Sequence, residues 1–156
     1  MPLTKAKEHL KKHGLEDKIM EFWVSSATVK EAAIALNCKE EEIAKTLSFL
    51  VDDKPILIVT SGNQKIDNSK YKAEFHTKAK MIPFNEVENK IGHGVGGVCP
   101  FGINDDVKVY LDTSLKRFKT IYPACGTSNS AVKLTIEELE KTSNYIKWID
   151  VCKNAK

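Results

Sequence analysis

The chain has 156 residues, is 42% hydrophobic and 29% charged, and carries a formal net charge of +3 with a pI near 8.6. This composition excludes intrinsic disorder, and the length suits one domain whose core needs neither disulfides nor a metal. No apolar run reaches membrane-spanning length, so no membrane partner is expected.

The opening MPLTKAKEHLKKHG has no apolar secretory segment, so no signal peptide is read and a cytoplasmic location is expected. Lysine and arginine total 24, and Arg117 is the single arginine. Phosphate contacts would therefore rest on lysine point charges, not on bidentate guanidinium forks. The charge is compatible with nucleic acid without being diagnostic of it. Cys38, Cys99, Cys125 and Cys152 are far apart and form no C-x-x-C spacing, so no metal site is expected. Cys38, Cys125 and Cys152 read as small packed side chains, reduced in a cytosolic setting.

In chain order, residues 4–13 read as a short helix with Leu3, Ala6 and Leu10 on one face and Gly14 as its stop. Leu15, Ile19, Phe22 and Trp23 predict a second helix. Residues 1–24 are thus expected to be a helical segment packed on the main domain, residues 25–156. Lys11, Lys12 and His13 could touch phosphate, or form a solvated surface. Thr28-Val29-Lys30-Glu31 predicts a capping box and a helix with Val29, Ala32, Ala33 and Leu36 on one face. Glu40, Glu41 and Glu42 suit the first turn of another short helix.

That turn runs into Ile43-Ala44-Lys45-Thr46-Leu47-Ser48-Phe49. Lys45 interrupts a mostly apolar run just before an expected strand; such a lysine either snorkels to water or is held against an anion. Asp52 and Asp53 predict a hairpin turn into a strongly apolar, central strand at residues 55–60. Asp67 or Asn68 caps a helix to about His76. Residues 81–84 are extended, and Asn85 to Glu88 predicts a capping box and a helix to Ile91.

Residues 92–102 hold five of the eight glycines. Glycine permits positive φ and close backbone approach, and consecutive N–H groups in such a bend can form an anion nest; a purely structural turn is the alternative. Pro100 stiffens the exit. Cys99 and His93 lie in this loop, and only spatial geometry can say whether they form a nucleophile–base pair or pack structurally. A strand follows at residues 107–111, with Asp112 read as a turn cap, and residues 120–126 read as a strand-to-turn segment. A small polar loop spans residues 126–130, and a strand returns at 131–134. Thr135 to Glu138 predicts a capped helix, and the last strand covers residues 145–151. Strands and helices mix without regular alternation, so the expected fold is an α+β single domain with a mixed, curved sheet flanked by helices.

Three segments in this order and spacing resemble the YbaK/ProX family, which is related to the editing insertion of bacterial prolyl-tRNA synthetases. They are Ile43 to Phe49, Gly96-Gly97-Val98-Cys99-Pro100-Phe101-Gly102, and Ala124-Cys125-Gly126. The resemblance covers about residues 25 to 152. It implies trans-editing: hydrolysis of the ester between a wrong amino acid and the terminal ribose of a tRNA, notably cysteine or alanine on tRNA for proline. A synthetase pocket for proline cannot strongly exclude similar or smaller residues, so a second hydrolytic site is needed. The resemblance places the functional lysine at Lys45 and the Gly-x-x-x-Pro motif at Gly96 to Pro100. Lys45 would anchor the terminal nucleotide and orient the ester. The backbone around Gly97 and Val98 would hold the aminoacyl group and stabilise an oxyanion, an effect of about 3–4 kcal/mol per donor. Cys99, Thr46, Phe49, Phe101, Gly126 and Ser128 are the further expected substrate neighbours, with Cys99 shaping the amino-acid pocket. The implied chemistry is substrate-assisted, with no cofactor and no metal. The implied partners are the acceptor end of aminoacyl-tRNA and, beyond it, prolyl-tRNA synthetase. The alternative function is a non-catalytic module binding tRNA, a nucleotide or a synthetase in the same pocket; a cysteine hydrolase using Cys99 is a third.

Overall fold

The structure, a computed structural model, describes residues 2–26 and 28–153. The expected domain limits at residues 1 and 156 lie outside them. Among the described residues there are five helices: α1 (Pro2–Lys11), α2 (Val29–Leu36), α3 (Asn68–Phe75), α4 (Val87–Ile91) and α5 (Ile136–Thr142). The strands are β1 (Ile19–Glu21), β2 (Ile43–Val51), β3 (Lys54–Ser61), β4 (Lys108–Asp112), β5 (Thr120–Pro123), β6 (Ser130–Val132), β7 (Leu134–Thr135) and β8 (Tyr145–Ile149).

Six strands form one mixed sheet in the order β7-β5-β2-β3-β4-β8, and β1 pairs antiparallel with β6 beside it. β2 and β3 are a long antiparallel hairpin; β5 joins β2, and β4 joins β3, in parallel. The hairpin turn is Asp52-Asp53, with φ of +51° and +64°. Left-handed backbone at both positions matches the right-handed twist of the flanking strands. β3 is apolar and buried on both faces. Leu57 and Val59 enter the larger core with Phe101, Val109 and Leu111, while Ile56 and Ile58 enter a second core with Phe49 and Tyr71. Two faces from one strand follow from the period of two. This is the expected α+β architecture.

Local chemistry explains most element ends. Asp67 accepts from the Lys70 N–H at 3.1 Å and starts α3. Thr135 and Glu138 form a complete reciprocal capping box at α5. At α2 the box is incomplete: Thr28 Oγ1 accepts from the Glu31 N–H, but the Glu31 carboxylate takes the Thr28 hydroxyl. No cap forms at Asn85, because a 3-10 turn at Phe84–Glu86 precedes α4. The expected helix through Leu15 and Trp23 is also replaced. A 3-10 turn (Glu16–Lys18) leads into β1, and Phe22 N–H donates to the Asn129 carbonyl at 2.8 Å. A helix would have put Trp23 on its apolar face, whereas Trp23 is 105% exposed. Pairing with β6 overrides the helical spacing. Lys45 lies inside β2, not before it.

Candidate active site

The site is built on an open stretch of the β2 edge. β5 covers that edge only at Ile43 and Ala44. At the far end Ile82 N–H donates to the Ser48 carbonyl, and Leu50 N–H donates to the Lys80 carbonyl. Ser48 and Leu50 therefore turn their peptide groups away from β3. Antiparallel alternation gives Thr46 the same direction. Thr46 thus presents its peptide groups to the gap between β5 and residues 80–82.

A cavity of about 510 Å3 fills that gap. Because it wraps a strand edge, both faces of β2 contribute. Val29 and Ala32 of α2 form one flank; Ile82, Val87, Gly96 and Val98 form the other; Tyr122, Ala124, Ser130 and Ala131 also line it. Lys45 and Thr46 lie in its wall. Met81, Phe84 and Val95 rim it and are largely exposed, Phe84 at 79%.

The glycine loop is fastened to the opposite loop by a two-glycine clasp. Gly126 N–H donates to the Gly97 carbonyl at 2.9 Å, and a Cβ on Gly97 would sit 2.4 Å from the Gly126 carbonyl carbon. Gly96 and Gly126 have φ of +97° and +92°, which L side chains rarely adopt. The clasp brings together the three sequence segments that carried the family resemblance: Lys45 and Thr46, Gly96 and Val98, and Ala124 share one cavity. Both polar groups of Gly97 are engaged: its carbonyl accepts from Gly126 in the clasp, and its N–H donates to the Gly94 carbonyl within the glycine loop at 3.1 Å. Gly96 and Val98 are the motif residues at the wall.

The other expected site residues are placed elsewhere. Cys99 and Phe101 are fully buried in the main core, and Phe49 is buried in the second core. Pro100 lines a separate cleft beside α1. Ser128 is exposed, and its carbonyl accepts from the Ser26 N–H at 2.6 Å, holding the chain that enters α2. Cys99 therefore does not face the cavity, since the loop turns its side chain inward. His93 and Cys99 do not form a catalytic pair. His93 Nε2–H donates to the Phe101 carbonyl at 2.6 Å, and the Cys99 thiol approaches the same oxygen at 3.6 Å. Burial pushes the Cys99 thiol well up, the opposite of what a nucleophile needs.

Lys45 and Thr46 are the two polar wall residues that fall in the Ile43–Phe49 segment and carry distinct electrostatics, beside Ser26, Thr28, Ser48, Tyr122 and Ser130. Lys45 is half-buried, and its ammonium donates to the Gln64 carbonyl. Its pKa is lowered, chiefly by burial; Cys152 opposes this and Lys65 adds to it. Thr46 Oγ1 is buried with no hydrogen-bond partner among the described residues. A buried hydroxyl without a partner is destabilising, and one in a cavity wall can be completed by a ligand. Tyr122, Ser130 and the Phe84 rim were not singled out from sequence. Tyr122 and Ser130 flank the Ala124–Gly126 segment, and that proximity was their only signal.

Comparison with known proteins agrees with this geometry. The family model described as the aminoacyl-tRNA editing domain matches residues 24–142. The uncharacterized protein YwhH of Bacillus subtilis (strain 168) is 48% identical over 155 residues, covering 99% of each chain. EbsC of Enterococcus faecalis, named as a candidate Cys-tRNA(Pro)/Cys-tRNA(Cys) deacylase, is 27% identical over 90% of this chain and 88% of its own. A solved structure described as a candidate trans-editing enzyme for prolyl tRNA synthetase superposes with a TM-score of 0.88 at 26% identity, covering 98% of both chains. The chain belongs to the aminoacyl-tRNA editing domain family.

Proposed function

We propose that this protein is a trans-acting deacylase that hydrolyses the ester of mischarged aminoacyl-tRNA, with cysteine or alanine on tRNA for proline as the substrate class. The observation that carries this reading is the open β2 edge at Thr46, facing Gly96 and Val98 across a largely apolar cavity. A small side chain fits against Val29, Ala32, Ile82 and Val98. The ester then lies along the strand edge, within reach of the Thr46 hydroxyl and the loop backbone. Lys45 supplies the positive charge for the terminal nucleotide, exchanging its Gln64 contact for phosphate. Water attacks the ester carbonyl, and the ribose oxygen leaves with a proton, giving free amino acid and uncharged tRNA. No side chain of the cavity is an activated nucleophile, so the rate rests on positioning, exclusion of bulk water and the substrate's own hydroxyl or thiol.

The names of EbsC and of the solved trans-editing structure support this substrate class. So does the matching segment in the Bacillus subtilis proline–tRNA ligase, 30% identical over 90 residues and 16% of that protein. Binding through the acceptor end would be salt-dependent, and the reaction would belong to the cytoplasm, where charged tRNA is used. The direct test is hydrolysis of alanyl- and cysteinyl-tRNA for proline by wild type and Lys45→Ala. Turnover that collapses in the variant supports the reading. Tight tRNA binding without turnover of either ester would replace it with the binding module.

A further inference from the structure

One peptide unit at the exit of the glycine loop is held between two histidines. The Phe101 carbonyl accepts from His93 Nε2–H at 2.6 Å, and the Gly102 N–H donates to His9 Nδ1 at 3.0 Å. These two groups belong to the same peptide bond. His9 in turn uses its Nε2–H to donate to the Thr142 carbonyl at the end of α5. The pattern fixes the state of the His9 ring: Nδ1 must be a bare acceptor and Nε2 must carry the proton, so His9 is neutral.

α1 is seated on the same peptide. Gly102 has φ of +64°, and a Cβ there would lie 2.5 Å from the backbone carbon and oxygen of Lys5. Ala6 and Leu10 are fully buried, and His9 meets the Phe101 ring edge-on at 5.8 Å between centroids. The loop that ends here begins at the cavity wall, with Gly96 and Val98 only a few residues upstream. α1 lies outside the residues matched by the family model.

We infer that His9 is a positioning residue: by accepting the Gly102 N–H it fixes the exit of the glycine loop, and its protonation breaks that hold and loosens the loop at this end. This rests on the deacylase reading for its kinetic consequence, while the clamp itself stands on geometry alone. Protonation converts Nδ1 from acceptor to donor and sets two N–H groups against each other. The charged and polar groups that line the cleft with His9 are Lys5 and Glu8 of α1, Lys12 and His13 in the turn after it, Asp105 beyond the loop, Lys108 of β4, and Ser143 and Asn144 after α5. Burial holds the His9 pKa below its ordinary value; His13 and Lys12 add to this, and the Thr142 carbonyl opposes it. The hydrogen-bond pattern and the lowered pKa both keep the ring neutral at pH 7, and the release belongs below the ordinary imidazole range.

The test compares wild type, His9→Asn and His9→Gln between pH 5 and 8, reading kcat and KM for alanyl- and cysteinyl-tRNA for proline. In parallel, NMR follows the Gly102 amide and the imidazole nitrogens of the wild-type protein. The Asn amide oxygen sits where Nδ1 was and does not titrate. His9→Asn should therefore keep most of the neutral-pH rate and lose the acid fall. Gln reaches only toward Thr142, and should lower kcat roughly tenfold at neutral pH with little change in KM, the usual cost of one hydrogen bond. The wild-type Gly102 amide should shift in step with His9. A His9→Gln enzyme with wild-type kcat and an unchanged acid limb would overturn the positioning role. A Gly102 amide indifferent to His9 protonation would overturn the clamp, even if no aminoacyl ester is hydrolysed and the deacylase reading has failed.

Discussion

Gly97 and Gly126 are in backbone contact: the Gly126 N–H donates to the Gly97 carbonyl at 2.9 Å, and no Cβ fits on Gly97. Gly97→Ala would place its methyl 2.4 Å from the Gly126 carbonyl carbon and 2.5 Å from the Thr127 nitrogen, against the backbone of a single peptide unit. Neither loop can yield without moving Gly96 or Ala124 at the cavity wall. The expected cost is about 1–3 kcal/mol of stability, typical of overpacking a rigid site. Deacylation should fall further than the stability loss explains. Urea melts together with single-turnover deacylation check both, and a variant as stable and active as wild type would show that the loops are not rigidly clasped.

Thr46 is expected to separate stability from activity. Its hydroxyl is buried without a partner among the described residues, so Thr46→Val replaces an unsatisfied polar atom by a methyl of similar size. Stability should be unchanged or rise by about 1 kcal/mol, because the desolvation penalty disappears. If the hydroxyl bonds the ester or ribose, kcat/KM falls about tenfold, and Thr46→Ser restores most of it. A Thr46→Val protein that is less stable and fully active would assign the hydroxyl to structure instead.

The buried histidines set the acid side of the stability profile. His93 is fully buried, and its pKa is lowered chiefly by burial and further by Lys5, against the Phe101 hydrogen bond. The His9 pKa is lowered as well. In the unfolded chain both titrate near the ordinary imidazole value of about 6.5. Below it the unfolded state binds protons that the folded state refuses, so stability falls as pH drops from there toward the depressed folded values. It is fully present above. The slope is at most about 1.4 kcal/mol per pH unit for each histidine. Denaturant melts from pH 8 to pH 5 should show this loss, and His93→Gln should flatten it.

The fold was legible wherever one strong local rule acted alone. Asp52-Asp53 specified the hairpin, Thr135 and Glu138 the α5 cap, and the apolar run from Pro55 the central strand. It was illegible where a distant partner decided the outcome. Nothing local to Ile19 announces β6, more than a hundred residues away. In the site, Lys45, Gly96 and Val98 could be picked out because they fall in the motifs. The direction of a loop side chain could not. Cys99 sits between Val98 at the wall and Pro100 at another cleft, and it turns into the core because Gly97 is pinned to Gly126. His9 escaped notice because its partner is a backbone amide in another element.

Cys99 provides the sharpest contrast between packing and chemistry. It is fully buried, its thiol lies 3.6 Å from the Phe101 carbonyl, and burial pushes its pKa well up. Cys125 and Cys152 are also buried, with thiols pushed up to about 12, and the half-buried Cys38 thiol is pushed up to about 11. At pH 8 almost none of these thiols is ionised, and a thiol reagent attacks the thiolate. The native protein should therefore react with Ellman's reagent far more slowly than a free cysteine, and all four thiols should react at once in guanidinium. Cys99→Ala should cost about 1 kcal/mol, as for loss of one methylene-sized group from a core, and deacylation should stay within about threefold of wild type. Complete loss of turnover in a folded Cys99→Ala protein, with an acyl-enzyme trapped on the wild-type thiol, would reverse the assignment: the loop would then have to open to expose the sulfur, and catalysis would be covalent.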